Sequence, residues 1–227
     1  MTHSFDKDYW EGTWSGERGA MMSSGDPNPH LIDQVSELEP GTALDAGCGA
    51  GTEALWLASQ GWNVTGADIS DTALDTAQDR AAALGLERHI RWVRADLSAW
   101  QPETRFDLVT THYAHPAIPQ LEFYDRIASW VAPGGTLLIV GHLHHDHGQS
   151  PKNHNHDEHG HTAPPVEASA TAASITARFD PDEWTVMTAE ESRRTILGPS
   201  GHPTTVDDVV VRLTSPASAA PAHRERA

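Results

Sequence analysis

Three glycines alternate with small residues directly after an acidic residue in the segment 42–52, whose sequence is TALDAGCGAGT. Glycine is needed where the backbone takes a positive φ angle, or where a ligand lies against it with no Cβ in between. Apolar residues precede the acid and a helix-like pattern follows, which predicts a strand, a tight turn and a helix. Such a turn after a first strand is the usual place for a nucleotide-like ligand in a doubly wound sheet. A glycine turn that binds no ligand is the alternative.

The spacing of these glycines separates two classes of ligand. A dinucleotide fingerprint has the spacing G-x-G-x-x-G, with the pyrophosphate on the helix N-terminus, whereas Gly47, Gly49 and Gly51 are spaced G-x-G-x-G. The carboxylate of Asp45 would repel a diphosphate and would suit the ammonium group of an amino acid. The segment 44–52 resembles the first motif of the class I S-adenosylmethionine-dependent methyltransferases. That resemblance implies a cofactor-binding loop composed of Asp45, Gly47, Cys48 and Gly49.

Two further acids follow predicted strands. Asp68 ends the second predicted strand and precedes Ile69, and a carboxylate there can accept hydrogen bonds from both ribose hydroxyls of an adenosine. A nicotinamide enzyme would use this residue in the same way, and a cap for the following helix is another interpretation. Asp96 and Leu97 follow the third predicted strand. The methyltransferase resemblance implies that they contact the adenine amine and the adenine ring.

The fourth predicted strand, 106–111, ends in Thr111 and is followed by His112, Tyr113 and His115. Ligands of open α/β sheets bind outside the carboxyl edge, so we expect Thr111 to border the cofactor and the residues after it to face a methyl acceptor. A hydroxyl acceptor needs a general base, for which the two histidines are candidates. Methyltransferases that act on exocyclic amines of DNA bases resemble one another in an Asn/Asp-Pro-Pro-aromatic motif here, and the sequence THYA argues against such an acceptor.

The N-terminal segment 1–27 contains Tyr9, Trp10 and Trp14 among glycines, serines and charged residues. This composition predicts a lid with aromatic side chains, not a long helix. An aromatic face attracts a cation, so one of these rings, with Trp14 as a candidate, is expected to face the sulfonium group of the cofactor. Aromatic rings that only attach the segment to the domain are the alternative.

A histidine-rich insertion follows the fifth predicted strand and spans residues 142–161. Neutral imidazole is a common ligand of zinc, copper and nickel, so a defined metal site, with zinc as a candidate cofactor, is one interpretation. Weak metal affinity without fixed geometry is a second interpretation, and a mobile polar loop is a third. The candidate ligands are His142, His144, His145, His147, His154, His156, His159 and His161.

The order of predicted elements indicates an α/β fold. Helices alternate with strands as far as a Pro-Gly-Gly turn that precedes a strand at 136–140, and two more strands are predicted at 184–191 and 206–213. The resemblance implies a doubly wound, mostly parallel seven-stranded sheet of the Rossmann-like methyltransferase type, with helices on both faces and the last strand antiparallel. The expected domain spans 28–214, and the tail 215–227 is expected to be disordered.

Composition restricts the partners. The chain has 227 residues and a formal net charge of −17. It has no run of Lys and Arg, which argues against binding to nucleic acid or to an anionic membrane. A single cysteine, no signal-like N-terminus and no long apolar run predict a soluble cytoplasmic protein.

The leading hypothesis is an enzyme that transfers the methyl group of S-adenosylmethionine to an N, O or S nucleophile of a small molecule. The competing hypotheses are a metal buffer or sensor on a methyltransferase-like fold, and a nicotinamide oxidoreductase, which the glycine spacing opposes.

Overall fold

The computed structural model describes residues 5–23, 25–143, 169–197 and 203–217. Its helices are α1 (Lys7–Trp14), α2 (Glu17–Ser23), α3 (Pro29–Val35), α4 (Thr52–Ser59), α5 (Asp71–Leu84), α6 (Gln120–Ala128) and α7 (Ala172–Thr176). Its strands are β1 (Thr42–Ala46), β2 (Asn63–Asp68), β3 (Ile90–Arg94), β4 (Phe106–His112), β5 (Val131–His142), β6 (Thr185–Leu197) and β7 (Pro203–Thr214).

The seven strands form one sheet in the order β3-β2-β1-β4-β5-β7-β6. The first five strands are parallel, and β7 is antiparallel to both β5 and β6. Residues of β1 alternate between two cores, with Leu44 in the core under α6 and α7 and Ala43 in the core under α3 and α4. Helices therefore cover both faces of the sheet, and the predicted fold class is confirmed.

Strand register brings the predicted cofactor-binding acids to one edge. Ala46 of β1 lies opposite Ala67 of β2, and Asp68 lies opposite Arg94 at the end of β3. The carboxyl ends of these three strands are therefore nearly level, and the turns that follow them share one edge of the sheet. A ligand at this edge meets all three turns.

Several element boundaries differ from the sequence predictions. The fifth strand begins at Val131, because the Pro-Gly-Gly turn lies inside a register shift where Phe106 pairs with Val131 and Leu108 pairs with Thr136. Ser215, in the tail expected to be disordered, donates its backbone N–H to the carbonyl of Gly135.

The last two strands are longer than predicted. The pairing of β5 with β7 ends at His142 and Asp208, whereas β6 and β7 continue to pair as far as Leu197 and Pro203. This hairpin therefore extends beyond the carboxyl end of β5, on the side of the sheet edge where the candidate site lies. Within the described residues, no helix has the length and apolar character needed to cross a membrane.

Candidate active site

A cavity of about 260 Å³ opens at the carboxyl edge of the sheet. One side of the cavity is formed by the turns after β1, β2 and β3, and the other by the segment after β4 and by the N-terminal residues. The predicted site residues among its lining are Gly47, Cys48, Gly49, Asp68, Ile69, Asp96, Leu97, His112, Tyr113, His115 and Trp14.

The glycine turn after β1 has the backbone geometry that its composition predicts. Gly47, Gly49 and Gly51 have φ angles of 83°, 51° and 78°, which L side chains rarely adopt. A Cβ at Gly47 would lie 2.3 Å from the Cβ of Ala114, and one at Gly49 would lie 2.4 Å from Cζ2 of Trp14. Glycine is therefore required here both for conformation and for close approach.

Asp45 lies behind this turn and does not line the cavity. Its side chain is 1% exposed, and its Oδ2 has no hydrogen-bond partner among the described residues. Burial raises the pKa of Asp45 well above its usual value, and the nearby carboxylates of Glu53 and Asp68 raise it further. A backbone hydrogen bond from Ala54 partly offsets this rise. The Oδ2 without a donor fits a cationic group of a ligand at the turn.

Asp68 is buried at the end of β2 and is held by backbone donors. Its Oδ2 accepts from the N–H of Gly49 at 2.8 Å, and its Oδ1 accepts from the N–H of Ser70 at 2.9 Å. Burial raises the pKa of Asp68 in spite of these hydrogen bonds. The N-cap of α5 is Ser70, whose side chain accepts from the N–H of Ala73, so capping is not the role of Asp68.

The third turn presents an acid and an apolar side chain together. Asp96 is exposed, and its Oδ1 accepts from the backbone N–H and the hydroxyl of Ser98 at 2.9 and 2.6 Å. Leu97 is buried in the core with 6% exposure and also lines the cavity. This geometry can offer a planar ring an apolar face beside a carboxylate.

The N-terminal segment closes the cavity with two short helices. Trp10 and Trp14 line it together with Phe5 and Met22, whereas Tyr9 is not part of the lining. Glu11 accepts hydrogen bonds from the hydroxyl of Ser70 and the backbone N–H groups of Asp71 and Thr72, at 3.1, 2.6 and 3.3 Å. These bonds attach α1 to the N-terminus of α5, directly after the turn that contains Asp68.

The segment after β4 places its side chains in different environments. Thr111 does not line the cavity, and its hydroxyl donates to the carbonyl of Ala46 at 2.8 Å. His112 is half-buried, and its two ring nitrogens are inaccessible to solvent and have no hydrogen-bond partner among the described residues. Burial lowers the pKa of His112 to about 3, and the proximity of His30 contributes. Desolvation thus favours the uncharged imidazole of His112.

Tyr113 has a φ angle of 54°, in the left-handed region, and its hydroxyl lies in a buried polar network. The hydroxyl donates to Oδ1 of Asp208 at 2.8 Å and accepts from Arg194 at 2.9 Å and from Asn28 at 3.2 Å. Burial raises the pKa of Tyr113 to about 12, and the Asp208 charge contributes. The hydroxyl is thus fully hydrogen-bonded, and the ring serves as a wall of the cavity.

His142 stacks between two of these rings. Its centroid lies 4.5 Å from that of Tyr113 and 5.4 Å from that of His115. Within the described residues, no group of three His, Cys, Asp or Glu side chains is arranged to hold a metal ion. The other seven predicted ligands, from His144 to His161, lie outside the described residues.

Sequence reasoning did not identify several residues of this site. Asn28, Arg194 and Asp208 lie far apart in the chain and meet only because α3 and the β6–β7 hairpin approach the end of β4. No local motif marks them. The lining residues that sequence reasoning missed include Phe5, Met22, Asp26 and Glu53.

Residues 43–135 match the family model of a methyltransferase domain. The chain is 31% identical over 139 residues to the probable thiol methyltransferase 2 of Arabidopsis thaliana, which covers 58% of this chain and 60% of that protein. It is 30% identical over 171 residues to the trans-aconitate 2-methyltransferase of Rhizobium meliloti (strain 1021), which covers 73% of this chain and 61% of that protein. The chain thus spans less than two thirds of the length of these curated relatives.

Solved structures share the fold at low sequence identity. The N-methyltransferase NodS from Bradyrhizobium japonicum WM9, in complex with S-adenosyl-l-homocysteine, has a TM-score of 0.62 at 17% identity, over 94% of this chain and 100% of that one. TehB from Haemophilus influenzae has a TM-score of 0.64 at 14% identity, over 92% of this chain and 66% of that one. Residues 43–135 therefore match a methyltransferase domain, and the described chain shares the Rossmann-like fold of these solved structures.

Proposed function

We propose that this protein transfers the methyl group of S-adenosylmethionine to a small-molecule nucleophile. The observation that carries the proposal is that the glycine turn, Asp68 and Asp96 line the same cavity as His115 and the Tyr113 ring. One side of this cavity suits the cofactor, and the other is left for an acceptor.

The residues have distinct roles in holding the cofactor. Asp68 would accept from the ribose hydroxyls, and Asp96 from the adenine amine while Leu97 lies against the ring. Asp45 would supply the negative charge behind the turn that faces the ammonium group. Trp14, which lies over Gly49, would cover the cofactor and present an aromatic face to its charge.

S-adenosylmethionine supplies a methyl group that is already activated by the adjacent sulfonium. The protein therefore has to align the acceptor with that methyl group and exclude water. The short N-terminal helices, which Glu11 attaches to α5, exclude water from the cavity. No covalent participation by the protein is needed.

The charges of the cavity disfavour an acceptor that carries several negative charges. Its described lining contains four acidic side chains and neither Lys nor Arg. The curated relatives are named for a thiol and for trans-aconitate, which is a tricarboxylate. Because a polycarboxylate gains no opposite charge from these side chains, we propose a thiol or a hydroxyl as the nucleophile, and not a polycarboxylate.

Calorimetric titration of S-adenosylmethionine into metal-stripped protein tests the cofactor site. We expect one molecule bound per chain, and an affinity loss of about 1 to 3 kcal/mol in Asp68→Ala, the cost of hydrogen bonds to a charged group. Asp79→Ala is the matched control, because it removes an exposed carboxylate of α5 outside the cavity lining. Equal affinities in the two variants would contradict the site assignment.

An acceptor panel then tests the substrate class. Formation of S-adenosylhomocysteine is followed with thiophenol, phenol and trans-aconitate as the added acceptors. We expect turnover with the thiol and none with the tricarboxylate. If S-adenosylmethionine does not bind and zinc binds in stoichiometric amount, the proposal is overturned in favour of a metal-binding protein that uses the histidine-rich segment.

A further inference from the structure

His115 is held through its ring and through its backbone. Its Nδ1 lies 3.1 Å from Oε1 of Gln120, and its backbone carbonyl accepts from Nε1 of Trp10 at 3.2 Å. The residue is 8% exposed and lines the cavity that also contains the glycine turn. Gln120 is itself buried, at the start of α6.

A second hydrogen bond sets the orientation of the Gln120 amide. Its Nε2 donates to the carbonyl oxygen of Ala114 at 3.0 Å. A carbonyl oxygen can only accept, so the amide must direct its nitrogen to Ala114 and its oxygen to His115. The reversed amide would place two carbonyl oxygens against each other. The orientation therefore follows from chemistry and not from atom labels.

The amide orientation determines the tautomer of the imidazole. Oε1 of Gln120 accepts and cannot donate, so Nδ1 of His115 must hold the proton. In the neutral ring, Nε2 is then the nitrogen with the lone pair. The two hydrogen bonds of Gln120, to Ala114 and to His115, thus leave Nε2 of His115 as the nitrogen that can accept a proton.

We propose that Nε2 of His115 accepts the proton of the methyl acceptor, and that Gln120 is the positioning residue that selects this tautomer. The proposal rests on the methyltransferase function proposed above. The acceptor atom bonds to the methyl carbon, the carbon–sulfur bond breaks with its electron pair remaining on sulfur, and the acceptor's proton moves to Nε2. The products are a methylated acceptor, S-adenosylhomocysteine and an imidazolium.

Neighbouring groups are less suited to this role. Desolvation lowers the pKa of His112 to about 3, and the Tyr113 hydroxyl donates to Asp208. The titratable ring stacked on His115 is His142 of β5, which is stacked in turn on Tyr113. From the N-terminal side, Phe5 and Trp10 approach the residue, and neither titrates.

Nitrogen NMR of the ¹⁵N-labelled full chain tests the tautomer without any acceptor. Long-range ¹H–¹⁵N correlations distinguish the two neutral forms, and the loss of signals in His115→Asn assigns the residue. We expect the Nδ1–H form in the wild type and a rise of the Nε2–H form in Gln120→Leu. Glu122→Gln, an exposed change on the same helix, is the control. A wild type in the Nε2–H form would overturn the proposal.

Gln120→Glu gives a second readout. A carboxylate beside Nδ1 stabilises the imidazolium, although it has no N–H for the Ala114 carbonyl, so the His115 titration should move to higher pH by about one unit. A titration at unchanged pH would contradict the contact between residues 115 and 120. A merely structural role of Gln120 would not produce a shift in this direction.

Kinetics in mildly alkaline buffer separate this proposal from the proposed function. Thiophenol is ionised there and phenol is not, so His115→Asn should slow phenol methylation by about 100-fold or more and thiophenol methylation far less. Equal losses for both acceptors, with cofactor affinity intact, would overturn proton acceptance by His115 alone. If the wild type does not bind S-adenosylmethionine, the proposed function itself is overturned.

Discussion

The two sides of the cavity are built by different kinds of contact. On the cofactor side, the acidic side chains of the turns after β2 and β3 accept hydrogen bonds from backbone N–H groups of the same or adjacent turns. An example is the N–H of Ser70, which donates to Asp68. On the acceptor side, side chains distant in the chain meet, such as Trp10 with His115 and Arg194 with Tyr113. The first construction is local and the second depends on the complete fold.

This difference predicts what a substitution on each side changes. Removal of a group on the cofactor side should reduce ligand affinity and leave the fold largely intact. Removal of a buried charge on the acceptor side should destabilise the fold itself, because α3, β4, β6 and β7 meet there. Four substitutions test the contrast.

Asp208→Ala should have the largest effect. Asp208 is fully buried, with 0% exposure, and it accepts from Tyr113, Arg194 and His30. Its removal leaves the Arg194 charge without its partner, so we expect a loss of about 3 kcal/mol in the free energy of unfolding, measured by urea denaturation.

The neighbouring Asp207→Ala is the matched control for that substitution. Asp207 pairs with Arg193, whose side chain is 58% exposed, and an exposed ion pair contributes less than about 1 kcal/mol. Equal losses in the two variants would show that burial does not govern stability on the acceptor side.

Gly49→Val should abolish cofactor binding, and it should destabilise the fold less than Asp208→Ala does. The new side chain meets the Trp14 ring and imposes a φ angle of 51° on a β-branched residue, a strain of about 1 to 3 kcal/mol. Calorimetry with S-adenosylmethionine measures the affinity loss. Gly85→Val introduces similar strain at φ 69° where a Cβ meets open space, so it should reduce stability and preserve affinity.

The same contrast explains which features could be predicted from sequence. The turn glycines and the acids at strand ends are local signals, because their spacing reflects one strand and the turn after it. These signals predicted the seven-stranded α/β sheet, which is confirmed. They also picked out Gly47, Gly49 and Asp68, which line the cavity, whereas Asp45 and Thr111 do not. The spatial convergence of Asn28, Tyr113 and Asp208 has no local signal, since it requires the register between β5 and β7.

Asp45 shows where local reasoning is incomplete. Its position beside the glycine turn was evident from sequence, but its burial behind the turn depends on how α4 and β1 pack. The sequence also could not show that its Oδ2 has no partner in the described residues, because hydrogen-bond satisfaction is a property of the assembled fold.

Asp45→Asn should therefore stabilise the ligand-free protein at neutral pH. Burial raises the folded-state pKa of Asp45, so its contribution to stability is complete below the unfolded-state pKa of about 4 and is lost as pH rises through the folded-state pKa. We expect a higher melting temperature for the variant at neutral pH and no difference in acid. Its affinity for S-adenosylmethionine should fall roughly tenfold, or 1.4 kcal/mol.

Asp79→Asn serves as the control for that pH series, since residue 79 is exposed. A variant of Asp45 that is less stable than the wild type at neutral pH would contradict the interpretation of Oδ2 as an unsatisfied buried acceptor.

Glu11→Gln should have the smallest effect, because it changes only the attachment of α1. Partial burial opposes ionisation of Glu11, but hydrogen bonds from Thr72, Asp71 and Ser70 outweigh it and lower the pKa. The contribution is therefore present above the unfolded-state pKa and is lost as pH falls through the folded-state pKa. We expect a loss of about 0.5 to 1 kcal/mol, detected as faster proteolysis of the N-terminal segment at neutral pH.

Lys7→Gln is the control for Glu11→Gln. It removes an ordinary surface ion pair near the N-terminus of α5 and leaves the Glu11 charge in place. Lys7 and Asp71 are 44% and 45% exposed, so their pair should contribute little. If Glu11→Gln accelerates both proteolysis and cofactor dissociation while Lys7→Gln changes neither, α1 is attached through the turn that we propose to hold the ribose. Because α1 also contacts His115 through Trp10, its release would then disturb the acceptor side, and the two sides of the cavity would be coupled through this helix.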